Sequence, residues 1–252
     1  MARLTFLGSS GAVPAVGHDN AFLALEGEQS TLLIDCAGSP LLKLELAGID
    51  PLSLQGLILT HAHADHIYGF PLLAMDMWLL GCGDRPLKVF GDSETLDTAR
   101  ALLELFRPGE WPGFCPPTYH EIALAERSAV LELPDLIITA SPVSHLVPTI
   151  ALRIVNRASG RSTVYSSDTA PCESLVRLAR GADILIHEAT GDKDGHSSAT
   201  QAGQTAHRAQ VGTLYLIHYS ALTADLNTLL SEAGQEFSGP VELARDFGSF
   251  EF

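Results

Sequence analysis

The chain has 252 residues, 46% hydrophobic and 18% charged, and its 15 Lys plus Arg against 30 Asp plus Glu give a net charge of −15. That apolar content excludes a disordered chain, and no run reaches the ~18 uninterrupted apolar residues of a membrane span. The acidic balance is the opposite of the basic footprint of a general nucleic-acid binder. Five Arg fall at 153, 157, 161, 177 and 180; ordinary solvated Arg on strand ends and a helix is the simpler reading, a local patch the other. Cys36, Cys82, Cys115 and Cys172 form no C-x-x-C pair, so zinc-finger and thioredoxin readings fail and free thiols in a cytoplasmic protein are expected. The opening Met1 to Gly8 lacks the apolar core of a signal peptide. No Gly/Pro-rich linker interrupts the chain, which predicts one domain over 1–252.

Short apolar runs predict strands at 3–7, 21–25 and 31–34, with Gly27-Glu28 as a turn. Ser39-Pro40 opens a helix that stops at Gly48, because Ser suits an N-cap, Pro the first helical position and Gly the end. A buried strand at 56–59 runs directly into Thr60-His61. Helices follow at 70–80 and 93–106, then an irregular Pro-rich loop at 108–117. Strands resume at 118–124, 129–133, 136–140, 149–155 and 163–166. The last third alternates helix 172–180, strand 183–186, helix 199–210, strand 213–217 and helix 224–235. Ser198 and Gln201 form a capping box. About a dozen strands and five or six helices suggest an α/β chain of two packed sheets with helices outside.

The chemistry concentrates in Thr60-His61-Ala62-His63-Ala64-Asp65-His66, which places three imidazoles and a carboxylate at a strand end. These are preferred ligands of zinc and similar ions. Alternating ligands in a non-helical turn can face two sides, so one segment can serve two metals. His145, Asp168 and His218 likewise follow apolar strands.

The motif His61, His63, Asp65, His66 resembles the signature of the metallo-β-lactamase superfamily. That resemblance implies an αββα sandwich with metals between the sheets at one edge. His187-Glu188-Ala189-Thr190, His196-Ser197-Ser198, Asp35-Cys36-Ala37-Gly38 and the closing Arg245-Asp246 resemble ribonuclease Z. One departure is large: His145 and Asp168 are only 23 residues apart. Ribonuclease Z proper carries its tRNA-gripping arm in that interval, and here there is room for one hairpin turning at Ala158-Ser159-Gly160.

The resemblance implies two divalent ions per chain, zinc first and manganese second. His61, His63 and His145 would bind one, Asp65, His66 and His218 the other, with Asp168 bridging. Asp65 would also orient the attacking water, His196 would protonate or stabilise the leaving oxygen, and Glu188 would orient His196. His187 is expected to be structural, and His18, His120 and His207 to be surface residues. Trp78, Met75 and Met77 read as core or dimer surface. The expected function is that of a binuclear metal-dependent hydrolase, a phosphodiesterase acting on a small or flexible substrate through metal-bound hydroxide. Folded RNA is disfavoured, no membrane is involved, and a homodimer is open. Alternatives are a tRNA 3′-processing endonuclease of the ribonuclease Z type, a lactone or carboxyl-ester hydrolase, and a non-catalytic scaffold.

Overall fold

The computed structural model describes residues 1–28, 30–81 and 85–252. Cys82 lies outside the described residues. The first half supplies β1 (Arg3–Gly8), β2 (Phe22–Glu26), β3 (Thr31–Ile34), β4 (Leu54–Ile58), β5 (Lys88–Gly91) and β6 (Thr118–Glu121). The second half supplies β7 (Ser128–Glu132), β8 (Leu136–Pro142), β9 (Ile150–Asn156), β10 (Ser162–Tyr165), β11 (Ile184–Glu188), β12 (Thr213–Ile217), β13 (Val241–Leu243) and β14 (Ser249–Glu251). The helices are α1 (Pro40–Leu46), α2 (Ala64–Ile67), α3 (Phe70–Leu79), α4 (Ser93–Glu104), α5 (Glu173–Ala179), α6 (Ala199–Ala209) and α7 (Leu226–Glu236).

Among the described residues two seven-stranded sheets form, ordered β14-β1-β2-β3-β4-β5-β6 and β13-β12-β11-β10-β9-β8-β7. Alternation along each strand explains the layering. In β4, Ile58 joins the core between the sheets while Leu57 joins the core under the first-sheet helices. In β11, Ile184 and Ile186 face the other sheet while Leu185 packs beneath the helices of the second half. Each side chain so buried contributes ~1.5–3 kcal/mol relative to exposure. The αββα layering is the one expected from the sequence.

Several local expectations change. Residues 64–67 close into the helical turn α2 rather than an irregular segment. Ser39 makes no side-chain cap, whereas Asp92 accepts from Glu94 N and Thr95 N to start α4. The Ser198–Gln201 capping box is present. β5, β13 and β14 were not anticipated. At the β1 end, a Cβ on Gly8 would lie 1.9 Å from Asn20 O, so only glycine lets the β1 strand and residue 20 meet there. Of the five Arg between 153 and 180, four have partners: Arg153 on Leu178 O, Arg157 on Glu132, Arg161 near Asp183 and Arg177 on Glu126. Those partners favour the reading of ordinary structural Arg over a free basic patch.

Candidate metal centre

β8, β10, β11 and β12 point the same way, and β4 ends beside them. The last link is direct: Ile150 N donates to Thr60 O and Ser167 Oγ to Thr60 Oγ1. The loops after these strands therefore converge on one edge. They bring His61, His63, His145 and Asp168 together, and Asp65, His66 and His218 together, each group with its ligand atoms within 4.8 Å of one another. Asp168 touches both. Its Oδ2 is 3.9 Å from His61 Nε2 and from His145 Nε2 and 3.5 Å from His218 Nε2, while its Oδ1 is 3.5 Å from His66 Nε2.

Hydrogen bonding fixes which imidazole nitrogen is free. His66 Nδ1 donates to Asp35 Oδ2 (2.9 Å), His145 Nδ1 to Gly195 O (2.6 Å) and His218 Nδ1 to Thr190 Oγ1 (2.9 Å). His61 Nδ1 lies 3.1 Å from Thr60 Oγ1, whose own proton goes to Asp35 Oδ2. In all four, Nε2 is left facing the cluster, the arrangement of an oriented metal ligand. His145 Nε2 then meets His63 Nδ1 at 3.0 Å and His66 Nε2 meets His218 Nε2 at 3.2 Å. Ligand atoms around one tetrahedral ion with bonds of ~2.0–2.1 Å stand ~3.3 Å apart. Buried His61 Nε2 and Asp168 Oδ1 make no hydrogen bond, which a protein does not leave uncompensated without cause. The donor set fits divalent ions.

Electrostatics agree. Burial holds the His61 imidazole well below its ordinary pKa, with His66 adding to the effect. Burial also opposes charge on His66, but the Asp168 and Asp35 carboxylates override it and hold that ring well above the usual range. Burial resists ionisation of Asp168, yet His218 and His66 hold it well below the carboxylate range. The pocket's carboxylates call for positive charge, as protons or as metal.

His196 stands at the rim. Its Nδ1 donates to Glu188 Oε1 at 2.9 Å, and that bond raises its pKa. Glu188 is fully buried and also accepts from Thr169 N and Thr190 N, so its position is fixed. His187 faces away beneath the helices, donating to Glu188 O, and stays outside the ligand groups. His120 and His207 are exposed as expected. His18 is not: it is half-buried, with Nδ1 donating to Ser9 Oγ at 2.9 Å.

Sequence reasoning quoted Asp35, Thr190 and Asp246 within stretches of resemblance and gave none of them a role. Asp35 sits at φ 63° at the end of β3, accepting from Thr60 N and Oγ1 and from His66. Its signal was a carboxylate closing a wholly apolar run. Thr190 clamps both the ring and the carbonyl of His218, itself at φ 54°. Ser9 accepts from His218 N through its carbonyl and donates its hydroxyl to Asp246 Oδ1 at 2.8 Å. Such left-handed residues persist only where neighbours hold them. Asp35→Asn is expected to weaken metal binding ~10–100-fold, the usual effect of losing an outer-shell partner. Chelator competition measures it, and an unaltered affinity would remove Asp35 from this role.

Known proteins fit this picture. The family model described as "Beta-lactamase superfamily domain" matches residues 31–219. Ribonuclease Z of Methanothermobacter thermautotrophicus is 28% identical over 291 aligned residues, covering 94% of this chain and 92% of the relative. Among solved structures, the metallo-β-lactamase fold protein YhfI from Bacillus subtilis superposes with a TM-score of 0.82 at 26% identity, over 100% of this chain and 99% of its own. The short form of human tRNase Z shares the fold, with a TM-score of 0.80 at 23% identity over 99% and 98% of the two chains. With its family match spanning most of the sequence and its two sheets laid out as in these neighbours, the chain belongs to the β-lactamase superfamily as a hydrolase of the metallo-β-lactamase fold.

Proposed function

We propose that this hydrolase is a binuclear phosphodiesterase acting on a small or flexible phosphodiester. The observation that carries the reading is the pairing of His196 with buried Glu188 beside two ligand groups that share Asp168. His61, His63 and His145 would hold one ion, Asp65, His66 and His218 the other, and Asp168 both; zinc suits the imidazoles and manganese the carboxylates. Bound there, divalent ions supply Lewis-acid stabilisation and a water that ionises near neutral pH. The chain's own groups do the rest. Asp65 orients the attacking water and takes its proton. His196, anchored through Nδ1, gives a proton from its other nitrogen to the leaving oxygen. Burial of the inner ligands keeps bulk water out.

A second reading is favoured by the relatives: those named ribonuclease Z cover nearly the whole chain. Against RNA as substrate, His145 and Asp168 are separated by a single hairpin, β9 and β10, with Gly160 at φ 70° in its turn. The −15 charge also offers little to a polyanion. Catalytic efficiency on bis(4-nitrophenyl) phosphate is expected to exceed that on a precursor tRNA at matched, moderate salt, because low salt exaggerates a weak basic patch. The reverse order would put tRNA processing first. A lactone or carboxyl ester turned over faster than any diester would replace both readings.

A further inference from the structure

We propose that the metal centre opens into an apolar subsite, so that an ester substituent next to the reacting group is an alkyl or aryl chain. The inference rests on the phosphodiester reading and narrows it to a substrate class.

One wall is Leu146, 64% exposed although it directly follows a ligand. Gly195 at φ 76° lies against it: a Cβ there would stand 3.0 Å from Leu146 Cγ and 2.9 Å from His145 Nδ1. Leu146 is thus packed on the turn that delivers His196, beside the leaving-group proton. A second wall, on the His218 side, is Val13, 59% exposed. Its carbonyl accepts from Ser10 Oγ, and Gly11 donates to Tyr219 O while lying 3.4 Å, by its missing Cβ, from His218 Nδ1. Half-exposed Tyr68 belongs to the same wall: its hydroxyl donates to Asn20 Oδ1, and Asn20 Nδ2 to Gly11 O.

Charge points the same way. Segments 11–18, 62–69, 143–148 and 219–224 contain no Lys or Arg, and Asp65 is their one acidic residue. Nearby Lys43 is taken up by Asp19 and Asp246, and the turn before His196 adds exposed Asp192, Lys193 and Asp194, acidic on balance. A phosphoryl anion would find its counter-charge at the ligand cluster, and flanking phosphates would find little beyond Lys193, which two carboxylates flank in sequence. Scattered exposed apolar residues are ordinary, but apolar walls around a few convergent polar groups are the pattern of a small-molecule site.

The test uses zinc-loaded protein and n-alkylphosphonates from methyl to hexyl, with Kd from calorimetry. Affinity should rise by up to ~4-fold per methylene, the limit set by full burial of each group. Leu146→Ser and Val13→Ser should each flatten that rise. A Kd independent of chain length, no binding by any member, or an equally steep rise in both variants overturns the subsite. Turnover of methyl 4-nitrophenyl phosphate, assayed alongside, judges the phosphodiester reading separately. Its failure would leave the phosphonate series to decide the subsite alone.

Discussion

Asp168→Ala is expected to deplete the protein of divalent ions and to cut phosphodiester turnover ~10³-fold or more, beyond the ~10²–10³-fold of losing one electrostatic donor. The reason is position. Among the described residues, Asp168 is the one carboxylate in contact with both ligand groups, within 4.0 Å of His61, His66, His145 and His218. Its removal leaves His61, His63 and His145 with no carboxylate among them and His66 and His218 with Asp65 alone. The imidazoles then lose the partner that made positive charge in the pocket favourable. Elemental analysis of the purified variant beside the native protein decides the point. Native metal content in the variant would sink the shared-ligand assignment, whatever the turnover.

For His196→Ala the expectation is different: native metal content and a loss of ~10²–10⁴-fold on alkyl phosphodiesters, the range for a positioned acid or base. The loss should shrink for 4-nitrophenolate esters, whose leaving group needs little protonation. Glu188→Gln should show the same leaving-group dependence, because Glu188 Oε1 anchors His196 Nδ1 at 2.9 Å. Fixed metal content makes this a test of chemistry. Equal losses across all leaving groups would assign His196 to substrate binding instead, and loss of metal would assign it to the ligand set.

Elements visible in the sequence were those whose residues carry a periodic signal by themselves. Thr31–Ile34 and Thr213–Ile217 were predicted with their observed bounds because each is an apolar run ended by turn or ligand residues. Lys88–Gly91 was missed because only Val89 and Phe90 are apolar in it, too few to define a period. Ser249–Glu251 exists because Arg3, Leu4 and Thr5 offer it an edge, a partnership some 246 residues away in sequence. The α2 turn was missed because imidazole-rich segments have no strong local propensity, and Cys36 and His66 backbones pair to fix it. At the site, His and Asp at strand ends announced themselves by chemistry. Asp35, Thr190 and the Ser9–Asp246 pair did not, because carboxylates and hydroxyls are common and their partners lie 28 to 237 residues off.

The Ser9–Asp246 bond has a consequence for the order of events during synthesis. Ser9 leaves the ribosome well before Asp246, which follows 237 positions later. Between them come all the residues from His61 to His218 that face the centre. A nascent chain can pair β1 with β2 and β3, and it can expose the His61–His66 motif, but it has no His218 and no strand β14 to close the sheet. The first half alone would present a bare row of imidazoles able to catch a wrong, tightly binding cation such as copper, which outcompetes zinc at imidazole sites. Selection of any metal held there would therefore belong to a chain that has reached β14: correct loading would have to wait for His218 and β14, or the early histidines be kept from metal until those residues arrive.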